Sequence, residues 1–275
     1  MTTRLMACEA RKMLRSTSFL VLLAATAVFT ALTVASPAAF PGGPMFMTAG
    51  PEPDVVGGAI GFIGNLVDPE NVAGSAARTA FVYTPFWLAV VIAFAASSFA
   101  ADFTTRSVAV SKAKGTPLAK ILLAKTVSIV GVVGTCYAAS CLAAFLFKAH
   151  QYDAPLEAAD FGLFFGILGT NVALLGALAT QAMLLFSLLR STFASALALL
   201  VCQVCVLLGY PSAYGVSGAG EAGNPLFLLS PVYYLMNTCS LSFDNAPLLL
   251  GAAYAAVAVA VALTASAAAL SMREV

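Results

Sequence analysis

The sequence predicts an all-α integral membrane protein. It would have six transmembrane helices, an N-terminal interfacial elbow helix and a re-entrant helical hairpin before the last span. Composition is the first reason: of 275 residues, 61% are hydrophobic and only 9% charged, against roughly 25% charged in a soluble domain. The second is six apolar stretches, Thr17–Ser36, Tyr83–Ala101, Ile121–Phe147, Phe161–Leu189, Phe193–Tyr210 and Ala246–Met272. Each meets or approaches the roughly 20 residues that a bilayer core requires of a helix. The third is charge sorting. Arg4, Arg11, Lys12, Arg15, Arg106, Lys112, Lys114, Lys120, Lys125, Arg190 and Arg273 lie in the N-terminal segment, alternate gaps and the C-terminus, leaving only Arg78 and Lys148 of the 13 basic residues elsewhere. The other gaps hold Glu52, Asp54, Asp68, Glu70, Asp153, Glu157, Asp160, Glu221 and Asp244. The positive-inside rule places both termini in the cytoplasm, as an even number of spans also requires. The connecting segments are short, so residues 1–275 read as one transmembrane domain.

Residues 1–16 read as a short amphipathic helix, with Leu5, Met6, Met13 and Leu14 apolar and Arg4, Arg11, Lys12 and Arg15 basic. Such a helix lies in the interface and attracts anionic lipid. It is either an ordinary anchor or a specific elbow. The stretch Thr17–Ser36 is too long for a cleaved signal region and is expected to be a retained span.

Pro37–Val82 is expected to be a long outer loop, broken by Pro37, Pro41, Pro44, Pro51 and Pro53. Its apolar, glycine-rich part Val55–Val67 could skim the membrane surface. In the fourth stretch Gly162, Gly166 and Gly169 fall on one helical face, a pattern expected of a packing seam. Between the fifth and sixth stretches, glycines 215, 218, 220 and 223 precede Leu226–Leu241, an apolar segment interrupted by Ser230-Pro231. It is too short for a straight span, and a re-entrant or interfacial hairpin fits it best.

Enzyme chemistry finds no foothold. The lone His150 lies in an outer segment, and no H-E-x-x-H or G-x-x-x-x-G-K-[ST] pattern occurs. Cys202 and Cys205 have C-x-x-C spacing inside an apolar helix and read as small packing residues rather than a metal or redox pair. No Asp, Glu or His stands at the centre of a span, which disfavours a proton-driven carrier. Lys125, about one turn into its helix, is expected to snorkel to the interface. The buried polar groups are neutral: Asn171, Gln181 and Gln203 either join helices by hydrogen bonds or touch a transported molecule.

The gap Asp102–Lys120 carries Arg106, Lys112 and Lys114 on a helix-compatible run ended by Gly115 and Pro117. It reads as a lever that a soluble protein could grip, or as a plain positive-inside loop.

At these residues the chain resembles the type-2 ATP-binding-cassette (ABC) transporter permeases, the six-span exporter subunits of bacteria. Glu9-Ala10-Arg11-Lys12-Met13-Leu14-Arg15-Ser16 is similar to the family's elbow. Asp102, Thr105-Arg106, Val108-Ala109-Val110 and Lys125 stand where its coupling region lies, with Asp102 in place of the usual Glu and Ser107 where Gly is common. The Ser230-Pro231 segment is similar to its outer re-entrant helices. The resemblance implies a permease domain in the bacterial cytoplasmic membrane, paired with a second permease subunit and with cytoplasmic ATPase subunits that hold ATP and Mg. This chain itself would bind no cofactor, metal or nucleic acid. Glu9, Arg11, Lys12, Arg15, Asp102, Arg106, Lys112, Lys114 and Lys125 would couple to the ATPase. An amphipathic or hydrophobic peptide, lipid or drug would pass by alternating access, and members of this size often serve antimicrobial-peptide export or immunity. The alternatives from the residues are a membrane scaffold or sensor and, with no internal repeat between residues 1–147 and 148–275 to support it, a secondary carrier.

Overall fold

A computed structural model describes residues 2–35, 71–105, 107–217, 228–239 and 246–272, with the side chains of 2, 3, 208–217, 239, 246 and 247 excepted. Among the described residues the chain is all-helical. The elements are α1 (Thr2–Leu14), α2 (Thr17–Ala35), α3 (Val72–Thr79), α4 (Thr84–Thr104), α5 (Ser107–Ala113), α6 (Leu118–Gln151), α7 (Ala158–Leu189), α8 (Thr192–Ser217), α9 (Pro231–Cys239) and α10 (Ala246–Ser271).

Local chemistry sets the boundaries. The Ser16 hydroxyl accepts the Phe19 N–H at 3.2 Å and opens α2, as a helix-capping oxygen does. Asn71 Oδ1 accepts the Gly74 N–H at 2.9 Å and opens α3. Gly115, at φ +80°, stops the chain from continuing α5, and Pro117 caps the start of α6. Asp160 accepts the Glu157 N–H at 2.9 Å at the start of α7. Arg190, left-handed at φ 58°, closes that helix. Pro231 does not interrupt a helix: it begins α9, where its missing N–H costs nothing.

Five segments are long and apolar enough to cross a membrane: Thr17–Ala35, Val72–Thr104, Leu118–Gln151, Ala158–Leu189 and Leu248–Ser271. This is a multi-pass membrane protein. The fifth sequence-predicted span falls on α8, whose described apolar part, Thr192–Leu207, is shorter. The predicted outer loop ends differently from expectation. Its prolines and Val55–Val67 lie outside the described residues, but its last part folds as α3, with Gly74, Ser75, Ala76, Ala77 and Thr79 buried. Small side chains allow that helix to sit against α6 and α7. The re-entrant region is described only from Leu228 to Cys239, and glycines 218, 220 and 223 lie outside.

The long helix α7 is the hub: it packs against α3, α4, α6, α8, α9 and α10, most extensively against α10. The predicted row Gly162, Gly166 and Gly169 is not the main seam. Gly162 and Gly169 have nothing within 4 Å of where a Cβ would stand, and only Gly166 meets a neighbour, Leu248 at 3.2 Å. Close approach instead uses reciprocal pairs. Gly134 of α6 receives Val172 of α7, and Gly176 of α7 receives Val130 of α6; a Cβ on either glycine would stand only 3.0 Å from the valine. A Cβ on Gly251 of α10 would stand 2.9 Å from Thr170 Cγ2, so that a side chain there would collide.

The part of the bundle around the start of α4 and the second half of α6 is filled by rings. Phe81, Phe145 and Phe164 stack with centroids 4.6 and 5.4 Å apart. Trp87 meets Tyr137 edge-on at 5.3 Å. Lys148, one of the two cations on the acidic side, is fully buried at the end of α6 and donates to Gln151 Oε1 at 2.8 Å. By contrast α2 and α10 are only 11% and 17% buried over their apolar windows, leaving two apolar faces for lipid or another subunit. Cys202 and Cys205 are exposed on α8 rather than packed within the chain, contrary to expectation, whereas Cys136 and Cys141 are buried.

Candidate functional site

Four charged side chains from three helices converge at one end of the bundle. Lys125 Nζ on α6 lies 2.7 Å from Asp102 Oδ2 on α4 and 3.0 Å from Glu9 Oε2 on α1. Lys12 Nζ on α1 closes the ring at 3.1 Å from Asp102 Oδ1 and 3.3 Å from Glu9 Oε1. Each carboxylate thus bridges both ammoniums, one oxygen to each, and the quartet is charge-neutral. Helix geometry makes this possible: Glu9 and Lys12 are three residues apart and share a face of α1. Asp102 lies in the last turn of α4, and Lys125 in the second turn of α6.

The quartet is dry on one side and wet on the other. The Lys125, Asp102 and Glu9 side chains are 4%, 7% and 11% exposed, but Lys12 is 43% exposed. A crevice of about 220 Å³ opens beside it, lined by Lys12, Ser16, Ser18, Ser97, Asp102 and Lys125. Lys125 therefore does not snorkel, because two carboxylates meet its ammonium inside the fold. Burial lowers the pKa of the Lys12 amine, but the Asp102 and Glu9 carboxylates raise it by more, so it lies above its ordinary value of 10.5. A raised folded-state value means that this pairing is fully present below the ordinary lysine value. It is lost only as pH rises through the folded one.

Two serines that the sequence reading had not singled out as ligands complete the arrangement. Ser107, the first residue of α5, donates to Asp102 Oδ1 at 3.1 Å and accepts from Lys12 at 3.4 Å. It ties the short helix α5 to the quartet. Its spacing of five from Asp102, across a helix end, is the only sequence sign of this. Ser128 on α6 donates to the Met6 carbonyl at 3.1 Å and fixes the first half of α1.

The remaining predicted coupling residues lie outside the quartet. Arg11, Arg15, Lys112 and Lys114 are exposed on or just beyond α1 and α5, as is Lys120 at the start of α6. Arg106 lies outside the described residues. At this end Arg190 also covers the Phe103 ring at 5.0 Å. A buried neutral lock thus sits beneath exposed cations on α1 and α5. Motion of one element must move the others or break ion pairs.

The neutral polar residues form separate groups. Asn171 is fully buried; its amide donates to Tyr137 Oη at 3.1 Å, and its Oδ1 accepts from Thr238 Oγ1 at 2.7 Å. Tyr137 also shares a hydrogen bond with Thr84 at 2.7 Å. The chain Thr84–Tyr137–Asn171–Thr238 therefore joins α4, α6, α7 and α9. Gln203 accepts from Ser230 at 2.7 Å, and Gln181 donates to Tyr254 at 3.4 Å. Asn171 and Gln181 link helices, and Gln203 ties α8 to the residue that precedes α9. Replacing Asn171 with Leu is expected to cost about 1–2 kcal/mol. Thermal unfolding in detergent reads this as a lowered midpoint, and an unchanged midpoint contradicts the structural role.

Among the described residues, no group of three or more His, Cys, Asp or Glu is placed to hold a metal. Compared with protein-family models and with curated proteins, the chain matches none.

Proposed function

We propose that the chain is the membrane-spanning permease subunit of an ATP-binding-cassette exporter in a bacterial cytoplasmic membrane. The observation that supports this best is the Glu9–Lys12–Asp102–Lys125 quartet. It couples α1, the α4–α5 corner and α6 at the end of the bundle where the exposed cations gather. In this reading α8 crosses the membrane as the fifth of six spans, both termini are cytoplasmic, α1 is an interfacial elbow and α9 belongs to an outer re-entrant segment. A partner ATPase holding ATP and Mg presses on α5 through Lys112 and Lys114, and the quartet passes the displacement to α1, α4 and α6. The open faces of α2 and α10 are available to a second permease subunit. An amphipathic or hydrophobic peptide, lipid or drug passes between the two subunits, with antimicrobial-peptide export or immunity as the setting.

The test is purification of the tagged chain from its own cells in mild detergent. A stoichiometric ATPase with a phosphate loop is expected to accompany it. The double reversal Lys112→Glu/Lys114→Glu should weaken that association roughly tenfold or more, since like charges then face the partner. Recovery of the intact chain without any such ATPase would falsify the exporter reading and favour a scaffold or sensor.

A further inference from the structure

We infer that α1, α2 and α6 form a specific site for one anionic phospholipid. One acyl chain lies in the crevice between the helices, and the anionic headgroup sits against the row Arg4, Arg11 and Arg15, centred on Arg11. The crevice has a volume of about 580 Å³, and its walls are almost wholly apolar. Met6, Ala7, Ala10 and Leu14 of α1 form one wall, Phe19 of α2 an end, and Val127 to Cys136 of α6 the other wall. From Ser128 to Cys136 it extends about 12 Å along α6 at 1.5 Å per residue. Its floor runs along a helix long and apolar enough to cross a membrane.

Charge says what fills it. At about 100° per residue, Arg4, Arg11 and Arg15 fall in one row, a short step around α1 from Ala7 and Leu14. All three are exposed. The row stands between the crevice on one side of α1 and Glu9 and Lys12 on the other, and the Glu9 and Asp102 carboxylates are both committed to Lys12 and Lys125. Among the described residues none of the three guanidiniums has an acidic partner. An apolar slot along a membrane-length helix, flanked on α1 by a row of unneutralised cations, matches a molecule with an acyl chain and an anionic head. A second copy of a neutral helix would leave the cations unmatched.

Gly131 allows the slot to be closed without disturbing the fold, because a Cβ added there meets nothing within 4 Å. The exposed Ala7 allows the same from the α1 wall. The site requires only a membrane-embedded chain, so it stands or falls independently of ATP coupling.

The experiment is native mass spectrometry of the purified full chain equilibrated with equal amounts of phosphatidylglycerol and phosphatidylcholine. The wild-type chain should retain one phosphatidylglycerol in strong preference to phosphatidylcholine. The triple variant Arg4→Gln/Arg11→Gln/Arg15→Gln should lose that preference by roughly 100-fold, about fivefold per cation. Gly131→Leu and, independently, Ala7→Phe should lose the bound lipid although every charge remains. Size-exclusion profiles and unfolding midpoints close to wild type establish that each variant is folded. Equal retention of the two lipids by the wild-type chain overturns the site. So does phosphatidylglycerol retention that survives both slot-filling variants, which would mean diffuse attraction to the surface. Conversion of a dimer to a monomer by Gly131→Leu, with lipid retention unchanged, overturns it as well by assigning the crevice to a second copy.

Discussion

Lys125→Met should destabilise the protein by about 3–5 kcal/mol, the largest effect expected of any single substitution. Met nearly matches the stem of Lys, so packing survives and the loss is electrostatic. It strands Asp102 Oδ2 and Glu9 Oε2, which lie 2.7 and 3.0 Å from the amine. Two carboxylates would then share only Lys12, which is 43% exposed. A buried pair adds little over an apolar replacement, but removing one partner leaves an uncompensated buried charge. The same reasoning predicts that replacing all four charges together, as Glu9→Gln/Lys12→Met/Asp102→Asn/Lys125→Met, costs less than Lys125→Met alone. Thermal and denaturant unfolding in detergent measure both. If the quadruple variant is the less stable, the quartet is not a closed electrostatic unit.

Trp87→Ala is the second large effect, about 3 kcal/mol. Trp87 is 1% exposed and links three helices, meeting Phe29 of α2 at 5.6 Å and Tyr137 of α6 at 5.3 Å. In a bilayer the transfer from water contributes little to helix association, and packing carries it. The cavity left by the ring is therefore the dominant cost, which sets the value at the low end of the range for such truncations. Trp87→Phe, which keeps a ring in the same place, should recover most of the loss. A Trp87→Ala cost below about 1 kcal/mol would show that α2 is held mainly by other contacts, such as the 2.8 Å hydrogen bond from Thr30 to Ser140.

The spans were legible because a membrane helix announces itself by length and apolarity, signals that need no knowledge of neighbours. Thr17–Ala35, Ala158–Leu189 and Ala246–Ser271 end within three residues of their sequence-drawn limits. Helix α3 was hidden because its sequence, Val72 to Thr79, is short and rich in small residues, and only its place against α6 and α7 makes it buried. The glycine seam was misplaced for a related reason. Spacing in Gly162–Gly166–Gly169 shows that a face is smooth, not that another helix lies on it. Asp102 and Lys125 could be singled out individually by their positions near span ends, and Glu9 by its place in the elbow-like segment Glu9–Ser16. Their union could not be read, since 116 residues separate Glu9 from Lys125 in sequence, and a lone Lys near a span end reads equally well as snorkelling. Sequence therefore located the charges and left their pairing to the fold.

A double-mutant cycle on Glu9→Gln and Lys125→Met tests most directly whether the quartet binds α1 to the bundle. The unfolding free energies of the wild-type chain, both single variants and the double variant supply it. The two effects should fall short of adding by at least about 1.5 kcal/mol, as for close charge pairs removed from water. Effects that add to within about 0.5 kcal/mol would mean that Glu9 and Lys125 act independently, and the joining of α1 to α6 through these charges would be wrong.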